Sequence, residues 1–309
     1  MEDTFVNYTK RIARPNMSVP LGIGDDAAIL ANIPNMDTVV ATDMLCDGVH
    51  FLSNDVTPQQ IGRKALAVNL SDIAAMTATP VSAFVSVAFP NDIDTTYAER
   101  VMDGVAELAA EFDVCVAGGD TNSWDGKLAI NVCVTGYVAR TRAKLRSTAE
   151  PGDAILVTGE LGGSILGHHL SFRPRVDEAL ALVRSAEINA CMDITDGLLL
   201  DLSRMMSASK TGAVLDFDQI PVSRSARELS QQTQTSPLDH ALTDGEDFEL
   251  LFTLPVIDAM PLLEHPPFDH VKIRQIGRVI GEAAGVLRQT EDGSLQNVPA
   301  RGFEHKWKR

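Results

Sequence analysis

QQIGRKALAVNLSDIAAM, residues 59–76, follows Pro58, a residue suited to the first turn of a helix. Apolar side chains run nearly all round the helix: Ile61, Ala65, Leu66, Val68, Leu70, Ile73, Ala74, Ala75 and Met76. A helix with no polar face is buried. Yet it carries Asp72, one helical step from Asn69 and close to the line through Ala65 and Met76. An unpaired carboxylate inside a core costs several kcal/mol or takes up a proton. Asp72 therefore requires a cation or hydrogen-bond donors, either at a binding site or as the cap of a neighbouring loop.

On either side, strands and helices mix. TVVATDM (38–44) reads as a buried strand ending in an acid, and VSAFVSVAF (81–89) alternates, with Val81, Ala83, Val85, Val87 and Phe89 on one face. Residues 95–112 read as a helix capped by Asp94, and 114–118 and 128–138 as strands. The basic, polar stretch RTRAKLRSTAEPGD (140–153) reads as a domain boundary. A second unit opens with the strand AILVTG (154–159), has helices near 176–185 and 196–208, and strands near 213–217, 247–254 and 271–280. Two domains result, 1–145 and 146–309, of α/β (α+β layered) class, which suits 309 residues.

Forty-two acids against 26 bases give a net charge of −16, a surface that repels nucleic acid and anionic membranes. No apolar run reaches the ~20 residues that span a bilayer. MEDTFVNYTK has no basic start followed by an apolar stretch, so no secretory signal is read there. Cys46, Cys115, Cys133 and Cys191 are scattered, as expected of reduced cysteines in a cytoplasmic protein.

Several acids share the setting of Asp72. Asp43 ends a strand, Asp120 follows two glycines in VAGGDT, Asp193 and Asp196 flank a hydroxyl in MDITDGLLLDL, and Asp25 and Asp26 lie in GIGDDAAIL (22–30). Each alone reads as a cap or turn. Two carboxylates ~4 Å apart repel by up to ~4 kcal/mol at an effective dielectric near 20, so clustering them calls for cations. Oxygen donors without His or Cys point to Mg²⁺. Gly118 and Gly119 let backbone N–H groups approach an anion, and Lys144 and Arg146 offer positive charge. There is no G-x-x-x-x-G-K-[ST], no protein-kinase loop set and no G-x-S-x-G elbow.

GIGDDAAIL, ATDMLCDGVHF, KALAVNLSDIAAM, GGDTNSW, DITDGL and GEDFELLFT occur in this order, and with them the chain resembles the thiamine-monophosphate kinases over almost its whole length. That family belongs to the superfamily of aminoimidazole ribonucleotide synthetase and selenophosphate synthetase. The resemblance implies the two-domain fold of that superfamily and a homodimer paired through its N-terminal sheets. It implies ATP-dependent phosphorylation of thiamine monophosphate to thiamine diphosphate, assisted by several Mg²⁺ ions. Asp26, Asp43, Asp72, Asp120, Asp193 and Asp196 correspond to metal ligands, with Thr42 another through its backbone or hydroxyl. Gly119, Asp120, Arg146 and Thr195 correspond to ATP contacts, and His50, Glu246 and Phe303 to thiamine-phosphate contacts. No residue stands in a nucleophile constellation, and direct in-line transfer is expected.

The chain departs from the family pattern at a few places. TDGED has Asp244 where a glycine is usual, which suggests a positive φ there and a carboxylate close to the acceptor. Thr195 stands for a common Ser, Ala41 for a Ser or Thr, and LGGSILGHHLSFRPR (161–175) is shorter than its counterpart. These leave two alternatives open: another ATP-using enzyme of the superfamily with a different acceptor, or a non-catalytic nucleotide-binding paralogue.

Overall fold

The computed structural model describes residues 2–304 apart from residues 15, 22, 24–27, 282–283 and 291. The chain divides into two compact units, one formed by residues up to Ile73 with Ala78–Ala143, the other by Ala74–Thr77 with Lys144 onward.

The first unit runs α1 (Glu2–Ile12), β1 (Met36–Cys46), α2 (Pro58–Ala75), β2 (Thr79–Pro90), α3 (Thr95–Glu111), β3 (Cys115–Trp124) and β4 (Ala129–Ala139). Its four-stranded sheet has the order β1-β4-β2-β3. β4 is antiparallel to both neighbours, whereas β2 and β3 are parallel. A parallel pair needs a crossover, and α3 supplies it. α3 starts where Asp94 accepts the Tyr97 N–H at 2.8 Å, so the cap read from the sequence is present. α2 buries Ile61, Leu66, Leu70 and Ile73 completely. It crosses α3 where two glycines meet: a Cβ on Gly62 would lie 1.8 Å from the Val101 carbonyl oxygen, and one on Gly104 2.0 Å from that of Gln59. Val81, Ala83, Val85, Val87 and Phe89 are all buried.

β3 is longer than 114–118. The polar run GGDTNSW continues as strand because β2 offers it a parallel partner as far as Pro90↔Trp124. Gly119 sits in that pairing, and a Cβ there would come within 1.8 Å of the Val85 carbonyl oxygen, which only glycine avoids.

The second unit runs β5 (Asp153–Thr158), α4 (His168–Ser171), α5 (Val176–Ser185), β6 (Ala190–Asp193), α6 (Leu198–Ser209), β7 (Gly212–Leu215), α7 (Arg224–Ser230), α8 (Pro237–Thr243), β8 (Leu250–Pro255), α9 (Val256–Glu264), β9 (Ile273–Ile280), β10 (Gly285–Gln289) and β11 (Leu295–Val298). Its seven-stranded mixed sheet has the order β11-β10-β7-β9-β5-β8-β6. Ile155, Val157, Met192, Leu199, Leu202, Leu251 and Ile276 form the centre of its core. Among the described residues no helix is long and apolar enough to cross a membrane.

Candidate active site

In the first unit, strand alternation decides which acids meet. Successive residues of β1 face opposite sides of the sheet. Thr42 lies on the open face, where its Oγ1 donates to Asn131 Oδ1 at 3.3 Å. Asp43 points the other way and is hydrogen-bonded to Asp72 of α2. Burial pushes the Asp43 carboxyl above its ordinary value, against that hydrogen bond, which lowers it. Two carboxyl groups in hydrogen-bond contact share a proton or serve one cation. His50 braces the β1 end: its Nδ1 accepts the Cys46 N–H at 3.0 Å, and its carbonyl accepts from the buried Lys64 Nζ at 2.7 Å. Asp120 shares a face with Met44 through the pairs Met44↔Asn131, Asn131↔Ser86 and Ser86↔Asp120, and its Oδ2 accepts from Asn122 at 3.3 Å. The register therefore joins Asp43 to Asp72 and sets Thr42 and Asp120 on the opposite face. Leu21 and Ile29 bridge across the base of the GIGDDAAIL stretch. Asp25 and Asp26 lie outside the described residues.

In the second unit, three sequence-distant motifs meet through their backbones. β6 ends at Asp193, which is buried. The loop that follows is bonded on both flanks: Glu246 N–H donates to the Thr195 carbonyl at 2.7 Å, Phe248 N–H to Ile194 at 2.8 Å, and Phe303 N–H to Asp196 at 2.9 Å. Close approach is enforced by glycines, since a Cβ on Gly302 would lie 2.2 Å from the Asp196 carbonyl oxygen. Glu246 and Phe248 adopt φ of 64° and 52°, left-handed values that cost free energy for side-chain-bearing residues and cluster at functional sites. Phe248 is held by a stacked Phe172, ring centroids 4.0 Å apart. Thr195, Asp196, Glu246 and Phe303 thus belong to one loop cluster. Arg146 is exposed beside β6, where Leu145 bridges Ala190.

Sequence reasoning missed two residues here. Asp201 of α6 is fully buried, and its Oδ2 accepts the N–H groups of Thr195 and Asp196, each at 2.9 Å. Arg204 donates to Asp201 Oδ1 at 2.9 Å and also to Asp196. The signal available was the D-x-x-R spacing in DLSR (201–204), which puts an acid and a base one turn apart on a helix.

Asp244 corrects an expectation. Its φ is −69°, so the residue is extended, and the left-handed positions lie at Glu246 and Phe248 instead. Its carboxylate accepts the Gly163 N–H at 2.9 Å and contacts His240 Nδ1 at 3.0 Å. Asp247 likewise accepts the Gly162 N–H at 2.8 Å. The glycine pair 162–163 therefore spends its amides on the chain's own carboxylates. A cavity of about 400 Å³ is lined nearby by Gly162, His168, Arg175, Asp247, Glu249 and Lys272. The Arg175–Glu249 ion pair contributes both partners to its lining.

Among the described residues no group of three or more His, Cys, Asp or Glu side chains is gathered closely enough to hold a metal ion. Asp43 and Asp72 form an all-oxygen pair, and that donor chemistry fits a hard divalent cation. Asp196 is paired with Arg204.

Residues 24–138 match the N-terminal domain of the AIR synthase related proteins, and residues 150–288 their C-terminal domain. A thiamine-monophosphate kinase of Rhodopirellula baltica is 39% identical over 99% of this chain and 97% of its own length. The chain belongs to the thiamine-monophosphate kinase family. The Escherichia coli K12 member is 35% identical over 96% of this chain and 95% of its own. Among solved structures, the Stenotrophomonas maltophilia K279a thiamine-monophosphate kinase superposes with a TM-score of 0.78 at 33% identity, covering 95% of this chain and 96% of that one. AaThiL, complexed with AMPPCP and TMP, gives 0.77 at 30% identity, with 92% of each chain covered. The Escherichia coli hydrogenase maturation protein HypE shares the fold at a TM-score of 0.80 but only 18% identity, over 98% of each chain.

Proposed function

We propose that this protein transfers the γ-phosphoryl group of ATP to the phosphate of thiamine monophosphate, giving thiamine diphosphate and ADP. The observation that carries the reading is full-length similarity to thiamine-monophosphate kinases, one of which is solved with AMPPCP and TMP. The acceptor is itself a phosphate with a second pKa near 6, mostly ionised at pH 7, so it attacks without a side-chain base. Catalysis then consists of positioning two polyanions and relieving their repulsion. Thr195, Arg146, Gly119 and Asp120 serve the nucleotide; Glu246, Phe303 and His50 serve the acceptor. Asp43 and Asp72 would hold Mg²⁺; Asp26, Thr42, Asp120, Asp193 and Asp196 would be ligands of further Mg²⁺ ions, since Thr42 and Asp120 lie on the opposite face of the sheet from that pair. Mg²⁺ held by these residues would supply positive charge to neutralise the phosphates. The four free cysteines support a reducing, cytoplasmic setting. The apolar side chains on the open face of β1 support a homodimer paired through its sheets.

Chromatographic analysis of protein incubated with ATP, Mg²⁺ and thiamine monophosphate tests the reaction, with a panel of other phosphorylated acceptors alongside. Thiamine diphosphate and ADP are expected in equal amounts, and incubation with γ-labelled ATP alone leaves the protein unlabelled. Turnover of a different acceptor with no thiamine diphosphate would move the protein elsewhere in the superfamily. For the metal, Asp72→Asn is expected to lower activity more than 100-fold at saturating Mg²⁺. The same change relieves a half-buried carboxyl pair, so the melting temperature of the metal-free protein holds or rises. Near-wild-type turnover in this variant refutes the metal assignment.

A further inference from the structure

The loop Asp193–Gly197 has two working edges. Its carbonyl edge accepts the N–H groups of Glu246, Phe248 and Phe303, and so carries the acceptor-side residues. The N–H groups of Thr195 and Asp196 point to the opposite edge, and both end on one oxygen of Asp201. The other oxygen of Asp201 takes Arg204, which reaches on to the Asp196 carboxylate. Asp201 has none of its surface exposed, so these donors rather than water balance its charge. It lies in the first turn of α6, where the helix dipole favours an anion.

We propose that Asp201, acting with Arg204, is a positioning residue for phosphoryl transfer. It fixes the backbone of Thr195 and Asp196 and, through Arg204, the direction of the Asp196 side chain. One carboxylate thereby ties the nucleotide edge of the loop to the acceptor edge, an inference that rests on the kinase reading above. The chemistry demands aspartate. An asparagine oxygen can still accept both N–H groups, but its NH₂ then faces the guanidinium, donor against donor, and Arg204 is released. A serine or alanine leaves two buried N–H groups without a partner.

The test is Asp201→Asn, shown to be folded by near-ultraviolet circular dichroism. Dissociation constants are measured by calorimetry for AMPPCP with Mg²⁺ and for thiamine monophosphate. Both are expected to weaken, the first at least tenfold and the second at least fivefold. A purely structural residue would lower the melting temperature and leave both constants in place; values within twofold of wild type overturn the proposal. Should Asp201→Asn not fold, Arg204→Met decides, because Arg204 is partly exposed and outside the core. At least fivefold weaker AMPPCP binding is expected. Unchanged or tighter binding would mean that Arg204 merely occupies Asp196, and would overturn the proposal. Wild-type protein that neither binds AMPPCP nor phosphorylates thiamine monophosphate marks failure of the kinase reading instead.

Discussion

Asp244 shows how a single departure changes meaning once its neighbours are known. Read beside Glu246, it places a negative charge near the acceptor; in the structure it closes α8 and ties Gly163 and His240 together. Asp244→Gly removes an acceptor from a backbone N–H and from a ring nitrogen. A loss of about 1–3 kcal/mol in unfolding free energy is expected, measured by urea denaturation, with the Michaelis constants for ATP and thiamine monophosphate within threefold of wild type. A selective change in either constant would return the residue to the substrate site. Asp247, two positions before Glu249, is 2% exposed. Burial drives its carboxyl well above the ordinary value; the charges of Glu249, Asp244 and Asp201 push the same way, against the Gly162 N–H. A raised native pKa means that the folded state binds the proton more tightly than the unfolded chain. Its stabilising contribution is full below the unfolded value of 3.8 and is lost as pH rises through the higher native value. Unfolding free energies measured from pH 4 to pH 8 should therefore fall less steeply in Asp247→Asn than in wild type. Equal slopes would show that the wild-type residue is already ionised at the foot of this range. The acids that a reader of the sequence notices are those in turn-like motifs; Asp247 escapes because the N–H group that explains it comes from another segment, and Asp201 because it sits inside a helix and reaches back to the loop before it.

Elements were legible where a run of side chains repeats a period. The helix from Pro58, the alternating strand with Val81, Val85 and Phe89, and the Asp94 cap all follow from local pattern. β3 was cut short because Gly118, Gly119 and Asp120 are turn formers by composition, and only the neighbouring β2 makes them strand. α7, α8 and α9 were not read as helices. α7 and α8 have seven residues each, and α9 contains Pro261. The candidate acids were legible only as a list, because which of them share a face depends on register. Asp43 reaches Asp72, whereas Thr42 next to it faces away. What no pattern discloses is the glycine crossing of α2 over α3. Gly62→Ala would drive a methyl group to 1.8 Å from the Val101 carbonyl oxygen, which belongs to backbone and has little freedom to move. Overpacking of this kind typically costs ~1–3 kcal/mol, and a rigid backbone contact belongs at the upper end. A drop of about 3 kcal/mol in chemical denaturation, or recovery in the insoluble fraction, is expected. Wild-type stability would mean that the helices separate easily and that the crossing does not hold the unit together.

For the molecule as a whole, the open face of β1 and the net charge pull in opposite directions. An antiparallel sheet with one wet face normally turns polar residues outward. Here Met36, Val40 and Met44 point out, 42%, 59% and 57% exposed, alternating with Thr38 and Thr42. Exposed large apolar side chains in a row of this kind fit an interaction site, and a second copy presenting the same strand would cover them. Each copy, however, brings a charge of −16. Repulsion between two such chains is screened over ~8–10 Å at physiological salt and over only ~3 Å at 1 M. Sedimentation is therefore expected to give a particle of twice the 33.3-kDa chain mass, with association strengthening as salt is raised. Val40→Lys/Met44→Lys separates the two contributions. It lowers the net negative charge, so on long-range electrostatics alone the variant would associate more tightly than wild type. If the β1 face is the interface, the variant instead buries two ammonium groups against apolar surface and runs at the mass of one chain. A variant that remains dimeric, or a wild type that stays monomeric at every salt concentration, excludes this face as the contact.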